Sequence, residues 1–279
     1  MRALPEKPWF MAASFASLIA GFLLISSFLR LGGDRNLLCS VAGPPATGSS
    51  VELLTSAVLH YATSSVTPQQ SRSEIRISYS VLRARSPCNF LVFGLGHDSL
   101  MWQSFNPGGT TVFLEEDPKW VQSVLRDAPS LHAHTVRYPT KLKEADDLLT
   151  SWRSEPACDP ARAALKGNTQ CRLALAGLPN EIYEKEWDLI MIDAPRGYFA
   201  EAPGRMGAIY SAALMARNRK GAGPTDVFLH DVDRKVEKAF AAEFLCKKHL
   251  VEGKGRLWHF RIPAVPGNET TASSGGGFC

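Results

Sequence analysis

No run of five like charges occurs in the 279-residue chain, and its net charge of +4 is spread along its length. That dispersion argues against a phosphate-tracking surface, so nucleic acid is not expected as a partner. No Cys-x-x-Cys pair occurs among Cys39, Cys88, Cys158, Cys171, Cys246 and Cys279. A structural zinc site is therefore not expected. Internal repeats are missing too. With 45% hydrophobic and 21% charged residues, the composition excludes both a disordered and a fibrous protein.

Charge is also missing from Trp9 to Leu29, an apolar stretch bounded by Lys7 and Arg30. A helix of that length spans about 30 Å, the thickness of a hydrocarbon core. The stretch is longer than the apolar region of a signal peptide, and no clean Ala-x-Ala site follows it. It reads as an uncleaved transmembrane anchor over 9–29. Arg2 and Lys7 on one side are matched by Arg30 and Arg35 on the other, so the positive-inside rule is nearly silent. The short segment 1–8 is taken as cytosolic and the body as luminal.

Residues 30–72 are rich in Gly, Pro, Ser and Thr, which suits a flexible stem. Residues 73–86 alternate as Ile75, Ile77, Tyr79 and Val81, a strand pattern that a short helix could also carry. A body over 73–263 precedes a tail, 264–279, read as disordered. The tail holds Asn268-Glu269-Thr270, a glycosylation triplet usable only in a lumen. Cys158 and Cys171 bracket a polar segment and form one candidate disulfide; Cys88 and Cys246 are a second possible pair. A buried free thiol stays open for each.

Within the body, short apolar runs (Asn89–Gly94, Thr111–Leu114, His132–Tyr138, Trp187–Asp193, Asp226–His230) alternate with helical stretches near 98–105, 118–127, 140–152, 205–218 and 232–245. Strands alternating with helices imply a mostly parallel sheet covered on both faces. Leu250–Gly253 and Arg256–Ile262 flank Lys254-Gly255 and read as a closing antiparallel hairpin. The expected fold is α/β and Rossmann-like, of the class I methyltransferase layout, plus the N-terminal transmembrane helix. Dehydrogenase folds usually continue with further parallel strands.

Four positions carry chemistry. After the first strand comes Gly94-Leu-Gly96, where glycines let backbone approach a ligand. The third glycine of the dinucleotide fingerprint is Ser99 here, which counts against NAD. The second strand ends in Glu115-Glu116-Asp117, where an acid can accept hydrogen bonds from an adenosine ribose or simply favour the start of a helix. The fourth strand ends in Asp193, which could order an acceptor hydroxyl, act as base, bind a divalent metal, or merely cap a helix. The fifth ends in His230-Asp231, and a histidine can take a proton near neutral pH. Asp193, His230 and Asp231 thus form the candidate catalytic rim. If the acceptor is acidic, Arg196 and Arg205 suit its carboxylate, with Tyr198 beside them.

The strings Phe93–Trp102, Phe113–Asp117, Glu186–Pro195, Ala202–Met206, Ala216–Arg219 and Asp226–Asp231 resemble the plant glucuronoxylan 4-O-methyltransferase family. The similarity runs over roughly 73–263. It implies a Golgi type II membrane protein that transfers methyl from S-adenosylmethionine to O-4 of glucuronic acid on xylan. Gly94, Gly96 and Glu115 or Glu116 would then lie in the cofactor site. A branch needed for xylan deposition has Thr-His-Glu where this chain has Gly96-His97-Asp98; the match here is to the methyltransferase branch. A related branch acts on glucuronic acid in arabinogalactan, and a Golgi scaffold associated with xylan-synthesising proteins is the non-enzymatic alternative.

Overall fold

The computed structural model describes residues 49–265 and 277–279. The expected tail 1–8, anchor 9–29, the first part of the stem (30–48) and the Asn268 triplet lie outside the described residues. Among those described, no helix is long and apolar enough to cross a membrane.

Strands β1 (Asn89–Phe93), β2 (Thr110–Glu115), β3 (His132–Thr135), β4 (Leu189–Ile192), β5 (Thr225–Leu229), β6 (Leu250–Lys254) and β7 (Leu257–Ile262) form one sheet in the order β3-β2-β1-β4-β5-β7-β6. The first five pair in parallel; β6 turns into β7, which lies antiparallel between β6 and β5. The apolar runs explain this placement. Successive side chains of a strand point to opposite faces, so a strand covered on both sides must be apolar throughout. Leu91, Phe93, Val112, Leu114, Ile190, Ile192, Val227 and Leu229 join one core cluster. Their alternates Phe90, Val92, Phe113, Leu189, Met191 and Phe228 join another. Two cores sandwich one sheet.

Parallel strands leave all their carboxyl ends on one edge, with the helices α3 (Ser99–Ser104), α4 (Pro118–Asp127), α7 (Met206–Arg217) and α8 (Lys235–Phe240) following β1, β2, β4 and β5. Ahead of them come α1 (Ser49–Thr63) and α2 (Arg72–Arg85). The ambiguous segment 73–86 is thus helical. Ser71 and Glu74 form a reciprocal capping box, and Ile77 and Leu82 are buried; the box supplies a helix start that the strand-like alternation obscured.

Three expectations need correction. The stem is not flexible throughout 30–72, because α1 buries Ala57 and its Tyr61 hydroxyl donates to the His97 carbonyl at 2.6 Å. The pair Cys88–Cys246 does not form. Cys88 is a buried free thiol in one core cluster and Cys246 lies in the other, across the sheet. Cys158 bonds Cys171, and Cys246 bonds Cys279. The tail 264–279 is accordingly not disordered to its end. Phe278, 2% exposed, packs among Trp152, Tyr210 and Phe244.

The Cys246–Cys279 bond closes a loop with a sequence separation of 33, for which chain entropy gives about 2–4 kcal/mol of stabilisation. Cys279→Ser is therefore expected to lower the unfolding free energy by roughly that amount, measured by urea denaturation. An unchanged denaturation midpoint would mean that Phe278 holds without its clamp.

Candidate active site

Where β1 ends, the chain must turn sharply beside β4. Gly94 has φ of +126°, and a Cβ there would lie 3.3 Å from the Ala194 Cβ. Any side chain would be strained at that angle and tightly packed as well. The turn opens a cavity of about 450 Å³ at the carboxyl edge of the sheet. Gly94, Gly96, Glu115, Glu116, Asp193, Arg196, Tyr198, Arg205 and Asp231 all line it. Of the expected site residues only His230 does not.

The three acids closing β2 have separate duties. Glu115 is buried and spends both oxygens on backbone: Oε2 accepts from Leu95 N at 3.2 Å, and Oε1 from Glu116 N and Asp117 N at 2.9 and 3.1 Å. It latches the glycine turn to the next loop. Asp117 caps α4 by accepting from Lys119 N and Trp120 N. Glu116 is left facing the cavity, with Oε1 3.1 Å from Arg196 Nε. Burial raises its pKa despite the nearby arginine. Trp120 closes that side by donating to the Leu95 carbonyl at 2.6 Å. Both glutamates line the cavity, but Glu115 is committed to backbone N–H groups and Glu116 to Arg196, a distinction that adjacent identical residues could not show in sequence.

On the opposite wall stands Asp193. Its Oδ1 is 2.8 Å from His230 Nδ1 and 3.3 Å from an Arg205 nitrogen, and its Oδ2 accepts from Gln70 Nε2 at 3.0 Å. Burial pushes this carboxyl up, but the His230 bond, the Arg205 charge and the Gln70 bond pull it below its usual value. Asp193 is therefore an ionised, oriented carboxylate with 21% of its side chain open to the cavity.

The neighbours expected to share its role do not. His230 is fully buried behind Asp193, and its Nε2, 3.9 Å from Glu74 Oε1, has no hydrogen-bond partner among the described residues. It holds Asp193 and cannot itself reach a substrate. Asp231, held at φ of 60°, gives its oxygens to Arg205 at 2.7 Å, Arg234 at 2.9 Å and Arg256 at 2.6 Å. Arg205 is not free to grip an acceptor either. Besides those two carboxylates, its guanidinium donates to the carbonyls of Asp193, Pro195 and His230. The strand-end positions were legible; the inward turn of these side chains was not.

A divalent metal among Asp193, His230 and Asp231 fits poorly. Their ligand atoms gather within 4.8 Å, but an Arg205 nitrogen stands 3.3 Å from one carboxylate and 2.7 Å from the other. A fixed cation already neutralises the place a metal would take.

Arg196 and Tyr198 remain as expected surface groups at the mouth, Tyr198 being 68% exposed and edge-on to Phe199. Four further residues border or support the site unannounced by pattern: Asp98, Gln70, Arg234 and Arg256. Asp98 lines the cavity and accepts from Trp102 Nε1 at 2.8 Å. Burial first, then repulsion from Asp193, raises its pKa to about 6. Gln70 comes from the presumed stem, and residues 66–69 also line the cavity.

The family model described as IRX15/IRX15L/GXM matches residues 73–260. Arabinogalactan O-methyltransferase 2 of Arabidopsis thaliana is 57% identical over 285 residues, covering 100% of this chain and 97% of that protein. Glucuronoxylan 4-O-methyltransferase 1 of the same plant is 54% identical over 215 residues, covering 76% of this chain and 74% of its own. A solved methyltransferase-like protein of Silicibacter pomeroyi is 17% identical with a TM-score of 0.37, covering 72% and 92% of the two chains.

Proposed function

The chain belongs to the IRX15/IRX15L/GXM family, and from that premise we propose that it is an S-adenosylmethionine-dependent O-methyltransferase acting on glucuronic acid of a plant cell-wall glycan. The observation that carries this reading is one cavity joining a glycine turn, an acid with room for a ribose, and an ionised carboxylate. The seven-stranded sheet, five parallel strands closed by an antiparallel hairpin, suits the class I methyltransferase layout. Arabinogalactan is placed ahead of the xylan first expected, because the match to an arabinogalactan enzyme runs end to end whereas that to a glucuronoxylan enzyme covers three-quarters of the chain. Glucuronoxylan is the second reading, favoured by the 54% identity there. A Golgi type II topology remains part of the proposal, supported by the apolar stretch 9–29 and by two disulfides that suit an oxidising lumen.

The residues fit the donor. Gly94 and Gly96 bring backbone to the cavity, Glu116 offers an oxygen to ribose hydroxyls, and Trp120 walls that side. When bound, S-adenosylmethionine supplies a methyl group on a positively charged sulfur. The chain's own part is to hold an acceptor hydroxyl in line and to receive its proton. Alignment of that kind contributes up to about 7–11 kcal/mol. Asp193 orients the hydroxyl, kept in place by Gln70, His230 and Arg205. Asp98 is the stronger base of the two, since burial and then the nearby Asp193 raise its pKa while His230, Arg205 and Gln70 hold that of Asp193 down. Arg196, at the mouth, is the cation best exposed to a uronate.

Incubation of the full chain with labelled donor and either arabinogalactan or glucuronoxylan tests the reading, and label is expected in arabinogalactan. Label in xylan alone would select the second acceptor. No label in either, with no donor uptake by calorimetry, would leave a scaffold associated with xylan-synthesising partners. A pH profile adds a sharper check. Asp98 loses its proton as pH rises through about 6, so kcat/KM is expected to rise across that range and Asp98→Asn to flatten the rise. The same rise in the variant would remove Asp98 from proton transfer.

A further inference from the structure

We propose that His132, His134 and Glu181, none of which lines the cavity, form a divalent-cation site of the zinc type on the outer edge of the sheet, independent of the methyltransferase reading. Strand β3 is an edge strand, paired among the described residues with β2 alone. His132 and His134 are two residues apart, so both side chains leave the same face, while Ala133 packs into the core on the other. In register, the two histidines lie beside Val112 and Leu114 of β2, at positions that would be apolar if this end of the face were covered.

Instead a short helix, α6 (Asn180–Glu184), anchors Ile182 in the core and sets Glu181 against both rings. Glu181 Oε1 lies 3.0 Å from His132 Nε2 and 2.5 Å from His134 Nε2. The ring centroids are 4.9 Å apart, and all three ligand atoms fall within 4.8 Å of one another. Ligands held at about 2.0–2.2 Å around tetrahedral zinc stand roughly 3.3 Å from each other. The two sides through Glu181 Oε1, 3.0 and 2.5 Å, are shorter than that, so the carboxylate draws back slightly to admit an ion.

Chemistry points the same way. Two imidazoles crowding one carboxylate oxygen leave their Nε2 atoms converging on one small region, which suits a cation that accepts nitrogen and oxygen together. No guanidinium or ammonium pairs with Glu181 among the described residues, in contrast to the arginine-filled cluster at Asp193. All three side chains are partly open, at 46%, 28% and 35% exposure, so an ion can reach them and water can take the fourth position. The cysteine spacing that argued against zinc is silent here, since the ligands are imidazoles and a carboxylate. A metal held there would clip β3 to the helix before β4, closing the long excursion that contains the Cys158–Cys171 bond.

Calorimetric titration of tag-free, chelator-treated full chain with ZnCl2 tests this. The expected result is one ion bound per chain through this site, with affinity lowered about 100-fold or more in His134→Ala and in Glu181→Gln, an estimate from the effect of losing groups around a metal. Asp193→Asn should bind as the parent does. Saturating zinc should raise the parent's thermal midpoint by several degrees and leave the two variants unmoved; both variants should fold without zinc, as their circular dichroism would show. No binding, binding equal in parent and both variants, or binding lost in Asp193→Asn would overturn the proposal and leave a hydrogen-bonded cluster only.

Discussion

Asp193→Asn is expected to lower kcat for methyl transfer by about 100-fold while leaving the donor's Kd unchanged, the scale of loss when a group that positions a reactant is removed. The substitution keeps the side chain's size and can keep the bond from Gln70. It deletes the charge that His230 and Arg205 hold low. The orienting carboxylate acts on the acceptor hydroxyl as it reacts, so the loss should fall in kcat and kcat/KM together rather than in donor binding. Initial rates on the preferred glycan, paired with calorimetry of the donor, separate the two. A variant within about tenfold of the parent in kcat would move the chemistry away from Asp193.

Arg205→Met is expected to unfold the protein more easily, by about 3–5 kcal/mol, although methionine nearly matches arginine in length. The Arg205 side chain is 5% exposed and sits between Asp193 and Asp231. Removing it takes the shared cation from between the two acids, although Asp231 keeps Arg234 and Arg256 and Asp193 keeps His230 and Gln70. It also takes a donor from three carbonyls in a dry region, and each buried group left without a partner costs about 1–3 kcal/mol. Lysine should rescue little, because one ammonium cannot reproduce a fork that reaches Pro195, His230 and both acids. Urea unfolding measures the effect. Had Arg205 been an acceptor clamp, as its place in the sequence suggested, stability would stay level and only KM would rise.

These two residues show how far pattern reading reached. Asp193 was legible because an apolar run ending in an acid places that acid on the ligand-binding edge wherever the run is a parallel strand. Arg205 was legible as a neighbour, but whether it faced solvent or carboxylate depended on where Asp231 came to rest, and nothing local sets that. His230 failed for a related reason. A strand end specifies position along the sheet, not which way the next side chain turns, and at Asp231 the backbone enters the left-handed region and swings its carboxylate toward three arginines. Glu115 and Glu116 differ by a single step along β2. The step decides that one latches the loop through backbone N–H groups and the other pairs with Arg196.

Local periodicity on its own determined the strands and their order of appearance, the closing hairpin, the glycine turn and the acids at strand ends, because each rests on a handful of adjacent residues. Tertiary structure alone decided the rest. It brought Gln70 across to Asp193, tied Cys279 to Cys246, and set Glu181 against two histidines nearly fifty residues earlier. Such contacts join distant stretches whose closeness is set by how both faces of the sheet are covered, and that packing leaves no periodic trace in the chain.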